Sequence, residues 1–432
     1  MKQLFLMTLL MLCSLKALTQ QDTLIPKKNQ RLDFAKTYFE LGGGFSPAFK
    51  GTRIVNNQKT SVTHSSSFNP YLSWGGFHFW GHAEFYVNFP LSQLDFSSND
   101  QVKAALTHWV TTGARFLPWK YQPGKIRPYV GISWSGLDLK QSVEGEDNPT
   151  LSKSFMLVPE AGVLYGYKNF SLRLGLHYFY DNKWVYPISK TSFEKITTPK
   201  FRIQAGLAYA FEASRHKSEE VNKKWNSYKT VSKLGEGAQY AGDFFVGIGP
   251  SSSFSLTKTT YNQEMLPYLK DQIASEGYFD IALGYQFNKA GVFCALSFRN
   301  PTFTNNGYGT TQTIKKTSLA FEVNKFLTDY SGFVPYIGLN VAYDQLGYTE
   351  ETAQNSKELT FSKIEPGVTI GWDILPGKTD ECLILRTNLR WYPLSSFEVE
   401  GKKFDFSQLE YNLIQLVFYP GRYLRGKRTK TK

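Results

Sequence analysis

The stretch Thr111–Trp134, TTGARFLPWKYQPGKIRPYVGISW, decides how the chain is read. Its two arms flank a short turn near 118–126 and alternate residue by residue. On the second arm Val130, Ile132 and Trp134 share one face, and Tyr129, Gly131 and Ser133 share the other. This is the period of a strand with unlike faces, one branched and aromatic, the other small, polar or charged. Arg115 and Arg127 fall on the polar face, close to the turn.

The same alternation recurs along the 432 residues with almost no helical periodicity between. Strands are expected near 37–45, 68–75, 82–90, 106–117, 127–135, 155–166, 170–179 and 200–211. A second set is expected near 242–250, 277–286, 291–299, 317–326, 333–343, 360–373, 381–392 and 408–419. Each set holds eight. Within a set the connections alternate long and short, and every short turn falls on the side that holds both termini. Outer-membrane barrels have this sorting of short and long connections. The composition agrees: aromatic residues are 16% of the chain, yet mean hydropathy is only −0.33, because only alternate residues would face lipid. No apolar run after the N-terminus is long enough for a membrane-spanning helix.

The two sets match one another. RPYVGISW (127–134) aligns with VPYIGLNV (334–341), VPEAGVLYGY (158–167) with KIEPGVTIGW (363–372), and SLRLGLHYFY (171–180) with ILRTNLRWYP (384–393). These pairs set Tyr129 against Tyr336, Glu160 against Glu365 and Arg173 against Arg386. With these words in place, each half resembles the small eight-stranded outer-membrane barrels of the OmpA/OmpX type. The final strand, EYNLIQLVFY (410–419), resembles the terminal aromatic signal read by barrel-assembly machinery, although a basic extension follows it. The resemblance implies a Gram-negative outer-membrane protein.

The expected fold is therefore all-β, an antiparallel transmembrane β-barrel of sixteen strands in two homologous sets of eight. A single sixteen-stranded barrel is preferred, since one closed sheet is the usual outcome. Two tandem eight-stranded barrels are the alternative, and they explain the long polar segment between the sets. Strand pairing separates the two, because 37–45 pairs with 408–419 in one barrel and with 200–211 in two. The layout reads as a signal peptide over 1–19, a polar leader over 20–35, a first repeat over 36–212, a polar periplasmic linker over 213–241, a second repeat over 242–420 and a basic tail over 421–432. Cys13 makes a poor lipoprotein site, because Met11 and Leu12 are too large for the preceding box.

Loss of residues 1–19 removes Lys2, Lys16 and no acids, so the formal charge falls from +13 to +11. The remaining excess concentrates in 215–233 and in the tail GRYLRGKRTKTK. An exported chain has no use for nucleic acid. Expected partners are outer-membrane lipids and lipopolysaccharide, the assembly machinery during insertion, and cell-wall or envelope proteins through the basic linker and tail.

Face parity gives an inward charged set. In the first half it is Glu40, Glu84, Arg115, Arg127, Glu160, Arg173, His177 and Arg202. In the second half it is Asp280, Arg299, Glu322, Lys363, Glu365, Arg386 and Arg390. Parity is enforced, since a lipid-facing Arg or Lys at the midplane costs about 2–4 kcal/mol. A tight turn at Lys168-Asn169 sets Glu160 opposite His177; the same register in the repeat sets Glu365 opposite Arg390, with 376–379 as the turn.

No catalytic site emerges. His78 and His82 straddle a turn and do not share a face for a metal. His108 has outward parity and is expected in an aromatic belt, and His177 points inward without a nucleophile beside it. Ser133 and Ser135 lie within a strand and form no nucleophile elbow. The Gly42–Gly44 run reads as room for neighbouring side chains inside the lumen. Cys294 and Cys382 fall on different strands and faces, so no disulfide is expected. The chain is not expected to be an enzyme and needs no cofactor or metal. The expected function is a porin-like channel for small polar solutes. The alternative is a non-conducting structural or adhesion barrel, or a secretion-machinery component, with ligand-binding outer loops.

Overall fold

The computed structural model describes residues 36–430 except 56–57, 79–80, 96–101, 144–146, 213–233, 236–237, 239, 271, 329–332 and 376–381. The expected signal peptide and leader, the turn at 376–379 and most of the linker lie outside the described residues.

The first eight membrane strands are β1 (Lys36–Ser46), β2 (Ser67–His78), β3 (Ala83–Pro90), β4 (Thr111–Phe116, continued upward by Val102–His108), β5 (Ile126–Val143), β6 (Thr150–Tyr167), β7 (Phe170–Tyr178) and β8 (Phe201–Glu212). Each pairs antiparallel with its neighbours in this order. β1 then closes on β8, from Lys36 opposite Glu212 to Phe45 opposite Ile203. The second eight are β9 (Gly242–Ser255), β10 (Tyr278–Phe287), β11 (Val292–Arg299), β12 (Thr310–Phe326), β13 (Phe333–Thr352), β14 (Ser356–Ile374), β15 (Leu383–Tyr392) and β16 (Gln408–Phe418). Here β9 closes on β16, with a bulge between Ile248 and Ser251.

The molecule is thus two closed eight-stranded barrels, and the preference for a single barrel of sixteen is corrected. The reason is side-chain volume. An eight-stranded cylinder is just wide enough for side chains to fill, and the inward positions carry residues of that size. Tyr38, Tyr86 and Tyr129 lie fully inside the first barrel, and Tyr336 and Tyr392 inside the second. Outward positions such as Leu41, Leu207, Leu339 and Ile364 are exposed over most of their surface, forming an apolar girdle.

The barrels lie side by side. Phe85 of β3 stacks on Phe333 of β13 at 5.0 Å, Trp134 of β5 meets Trp372 edge-on, and the Tyr411 hydroxyl bonds the outward Thr112 hydroxyl. At the long-loop end the Tyr308 amide donates to the Asp147 carbonyl at 2.6 Å. The long connections are folded as well. Over the second barrel the short helix α1 (Thr260–Met265), the hairpin Ser396–Val399/Lys402–Asp405 and the strand tips enclose Tyr261, Leu269, Phe303, Tyr348, Phe397 and Phe404. Over the first, Leu139, Met156, Trp184, Tyr186 and Ile196 form a second apolar core. The basic tail forms helix α2 (Pro420–Lys430). Arg422 pairs with Asp243 at 3.2 Å, Arg425 also pairs with Asp243, and Arg422 lies over the Tyr419 ring.

Candidate functional site

The inward charges of the first barrel form one unbroken network. Arg173 donates from Nε to Glu40 at 3.0 Å and from both terminal nitrogens to Glu84 at 2.9 and 2.6 Å. Arg115 reaches Glu84 at 3.0 Å and Glu160 at 3.0 Å. Glu160 in turn faces His177 at 3.2 Å. Tyrosines complete the carboxylates: Tyr71 donates to Glu40 at 2.7 Å, Tyr86 to Glu160 at 2.6 Å, and Tyr38 to Glu84. Every oxygen of the three glutamates is engaged. The order Glu40–Arg173–Glu84–Arg115–Glu160–His177 alternates acid and base, which lets six buried groups share a site that none could occupy alone.

Small residues make this possible. A Cβ on Gly175 would lie 2.3 Å from the Tyr129 hydroxyl, so the ring rests where a side chain would otherwise stand. Arg115 and Arg173 flank that ring at 5.2 and 5.5 Å.

The hairpin register sets Glu160 opposite His177, Gly162 opposite Gly175 and Leu164 opposite Arg173. Two members of the expected set stand apart from the network. Arg127 has inward parity but sits at the short-turn rim, where it bonds the Lys120 carbonyl at 2.9 Å and Gln122 at 3.0 Å. Arg202 lies above the network, beside His177 on the neighbouring strand, and among the described residues donates only to the Asn69 carbonyl at 3.3 Å.

In the second barrel Arg386 grips Asp373 with two bonds of 2.7 and 2.9 Å and lies over the Phe293 ring at 4.0 Å. Arg390 pairs with Glu322 at 2.7 Å and with Asp280; Arg299 pairs with Glu410; Lys316 pairs with Asp344 at 2.7 Å and Glu410 at 3.2 Å. The expected Glu365–Arg390 pair is not formed. Thr369, not Glu365, stands opposite Arg390, a shift of four residues, and the pairing runs from Val368 opposite Trp391 to Ile374 opposite Leu385. Glu365 is buried and makes no ion pair among the described residues. Lys363 is half-buried opposite Asp344, whose charge Lys316 takes.

Lys316, Asp344, Asp373 and Glu410 were not in the expected set. Lys316 and Asp344 lie just past the expected strand ends, because β12 and β13 run on well above the girdle. Asp373 and Glu410 sit at inward positions near strand ends, where parity alone would have found them. His108 is corrected as well. The strand breaks at Trp109-Val110, which resets parity, and His108 is buried facing the lumen, against Phe179. Among the described residues no cluster could hold a metal ion, and Cys294 and Cys382 are free thiols.

No protein-family model matches the chain, and no curated protein matches it. Solved structures do resemble it. Neisserial surface protein A is similar at 12% identity and a TM-score of 0.30, over 41% of this chain and 99% of that one. The attachment invasion locus protein Ail of Yersinia pestis is similar at 12% identity and a TM-score of 0.29, over 42% and 99%. OprG of Pseudomonas aeruginosa is similar at 14% identity and a TM-score of 0.29, over 41% and 96%. These are outer-membrane proteins, and each spans about one of the two barrels. At such scores the assignment of this chain rests on its own strand pairing.

Proposed function

We propose that this protein is a non-conducting outer-membrane protein, a pair of plugged barrels that anchors a folded layer of loops as its binding surface. Short turns mark the periplasmic side and long loops the outer side. One observation carries the reading: the Glu40–Arg173–Glu84–Arg115–Glu160–His177 network spans the first lumen with no carboxylate oxygen left for a passing solute. A porin needs a wet lumen whose charges face water; these charges face each other. The apolar cores over both barrels support the same reading. Lipid and lipopolysaccharide contacts follow from the girdle, and envelope contacts from the basic helix α2. The same groups give no reaction, because Glu160 and His177 are consumed by the plug.

Planar-bilayer recording tests this. Folded protein is expected to give no stable channels, and Glu84→Ala, which takes one of two carboxylates from each of Arg115 and Arg173, is expected to give intermittent ones. Large, stable conductance from the unaltered chain would return the porin-like reading.

A further inference from the structure

Above the plug of the first barrel lies a small chamber of about 20 Å³, with Val158 and Phe179 of the loop core in its wall. Its wall carries Arg202, His108, His177, Asn88, Gln204 and Ser133, and no carboxylate. A second, smaller void adjoins it and shares His108, Phe179 and Arg202. We propose that this chamber is a binding site for one small monovalent anion, of halide to formate size, held between Arg202 and His108.

The isolation of Arg202 makes the first argument. Arg115, Arg173 and His177 touch the three glutamates directly, whereas Arg202 touches none of them and among the described residues makes no ion pair. A guanidinium taken out of water without a counter-charge is strongly disfavoured. The second argument is unmet hydrogen bonding. Arg202 Nε and His108 Nε2 are both buried without a partner, and His108 is 6% exposed. Both line the same space, and an anion between them accepts from each.

The chamber also looks built for the arginine. A Cβ on Gly44 would fall 1.9 Å from Arg202 Nε, so only glycine there lets the guanidinium lie across β1. Size sets the ligand class. The free space inside the walls admits about one or two water-sized bodies, which excludes sugars and nucleotides. The absence of acids from the wall excludes metal cations. Because the plug closes the floor, the anion enters from the long-loop side and does not cross. The inference is independent of the loop surface's role, since it rests on the lumen alone.

Crystals of the full chain soaked in sodium bromide test it by anomalous scattering. A bromide peak is expected within hydrogen-bond distance of Arg202 Nε and His108 Nε2, and is expected to vanish in Arg202→Gln. In Gly44→Ala, which keeps the charge but pushes the guanidinium aside, the peak is expected to move or disappear. In solution, exchanging gluconate for chloride at constant ionic strength is expected to raise the unfolding midpoint of the unaltered chain and to leave that of Arg202→Gln unshifted. A chamber holding only water in the folded unaltered protein would overturn the proposal. So would a bromide peak that stays in place when Arg202 is replaced.

Discussion

Glu160 and Glu365 align in matching words of the two halves, on β6 and β14, yet among the described residues only Glu160 has ion-pair partners. Arg115 and His177 hold it and Tyr86 caps it, while Glu365 stands near Lys316, which is already shared by Asp344 and Glu410. The aligned arginines behave alike: Arg173 lies over Tyr129 at 5.5 Å and Arg386 over Tyr336 at 5.7 Å. What differs is the balance of charge. The first network alternates acid and base, whereas in the second Asp280, Glu322, Asp344, Glu365, Asp373 and Glu410 face only Arg299, Lys316, Arg386 and Arg390. A shared scaffold of strands, glycines and tyrosines therefore tolerates two different electrostatic solutions. Only the first leaves every buried carboxylate paired.

That contrast can be broken most sharply at Arg173. Arg173→Ala strips Glu40 of its cation and Glu84 of one of two, and is expected to cost about 3–5 kcal/mol in urea unfolding in lipid or detergent. A loss under about 1 kcal/mol would mean that the first lumen is wet.

The next test sets the aligned glutamates against each other. Glu160→Gln is expected to lower stability by about 1.5–3 kcal/mol, the worth of hydrogen bonds to charged groups. Glu365→Gln replaces a buried carboxyl group that has no ion pair and is expected to raise stability by about 1 kcal/mol. Equal signs in the two unfolding series would contradict the assigned pairing.

A smaller effect is expected where the barrels touch. Tyr411→Phe removes the bond to Thr112 and is expected to cost about 0.5–1.5 kcal/mol. The cost should disappear when Thr112 is already Val, and a double-mutant cycle reads this directly.

The smallest effect lies at the outer tip of β14, above the girdle. Burial by itself would lower the Lys357 pKa, but hydrogen bonds to Glu400 and Tyr261 and the charge of Glu350 outweigh it and raise it above the ordinary lysine range. A raised folded pKa stabilises fully below the unfolded value, near 10.4, and is lost as pH climbs through the folded one. The stability difference between the unaltered chain and Lys357→Met is thus expected to hold steady to about pH 10 and shrink above it. A difference that grows with alkalinity would reverse the sign.

Much of this was legible in residue order. Parity along IRPYVGISW and SLRLGLHYFY put Tyr129, Arg173 and His177 inside, and the Lys168-Asn169 turn gave the β6–β7 register. Barrel number was misjudged although its signal was present. Inward tyrosines opposite inward glycines, such as Tyr129 against Gly162 and Gly175, describe a lumen filled by side chains. Chain entropy gave no help, since roughly doubling the span to be closed costs only about 0.6 kcal/mol. The Glu365 register was out of reach because period-2 parity is the same for any shift by an even number of residues, so it cannot tell Glu365 from Thr369 opposite Arg390. The chamber at His108 was hidden by the break at Trp109-Val110, which no period-2 pattern announces.

The two closures have a consequence for biogenesis. β8 meets β1 at one seam and β16 meets β9 at another, and among the described residues no strand of one cylinder pairs with a strand of the other. Two separate closures on one polypeptide are therefore required of whatever inserts this chain. Phe85, Trp134 and Thr112 then give the two sealed cylinders a shared wall.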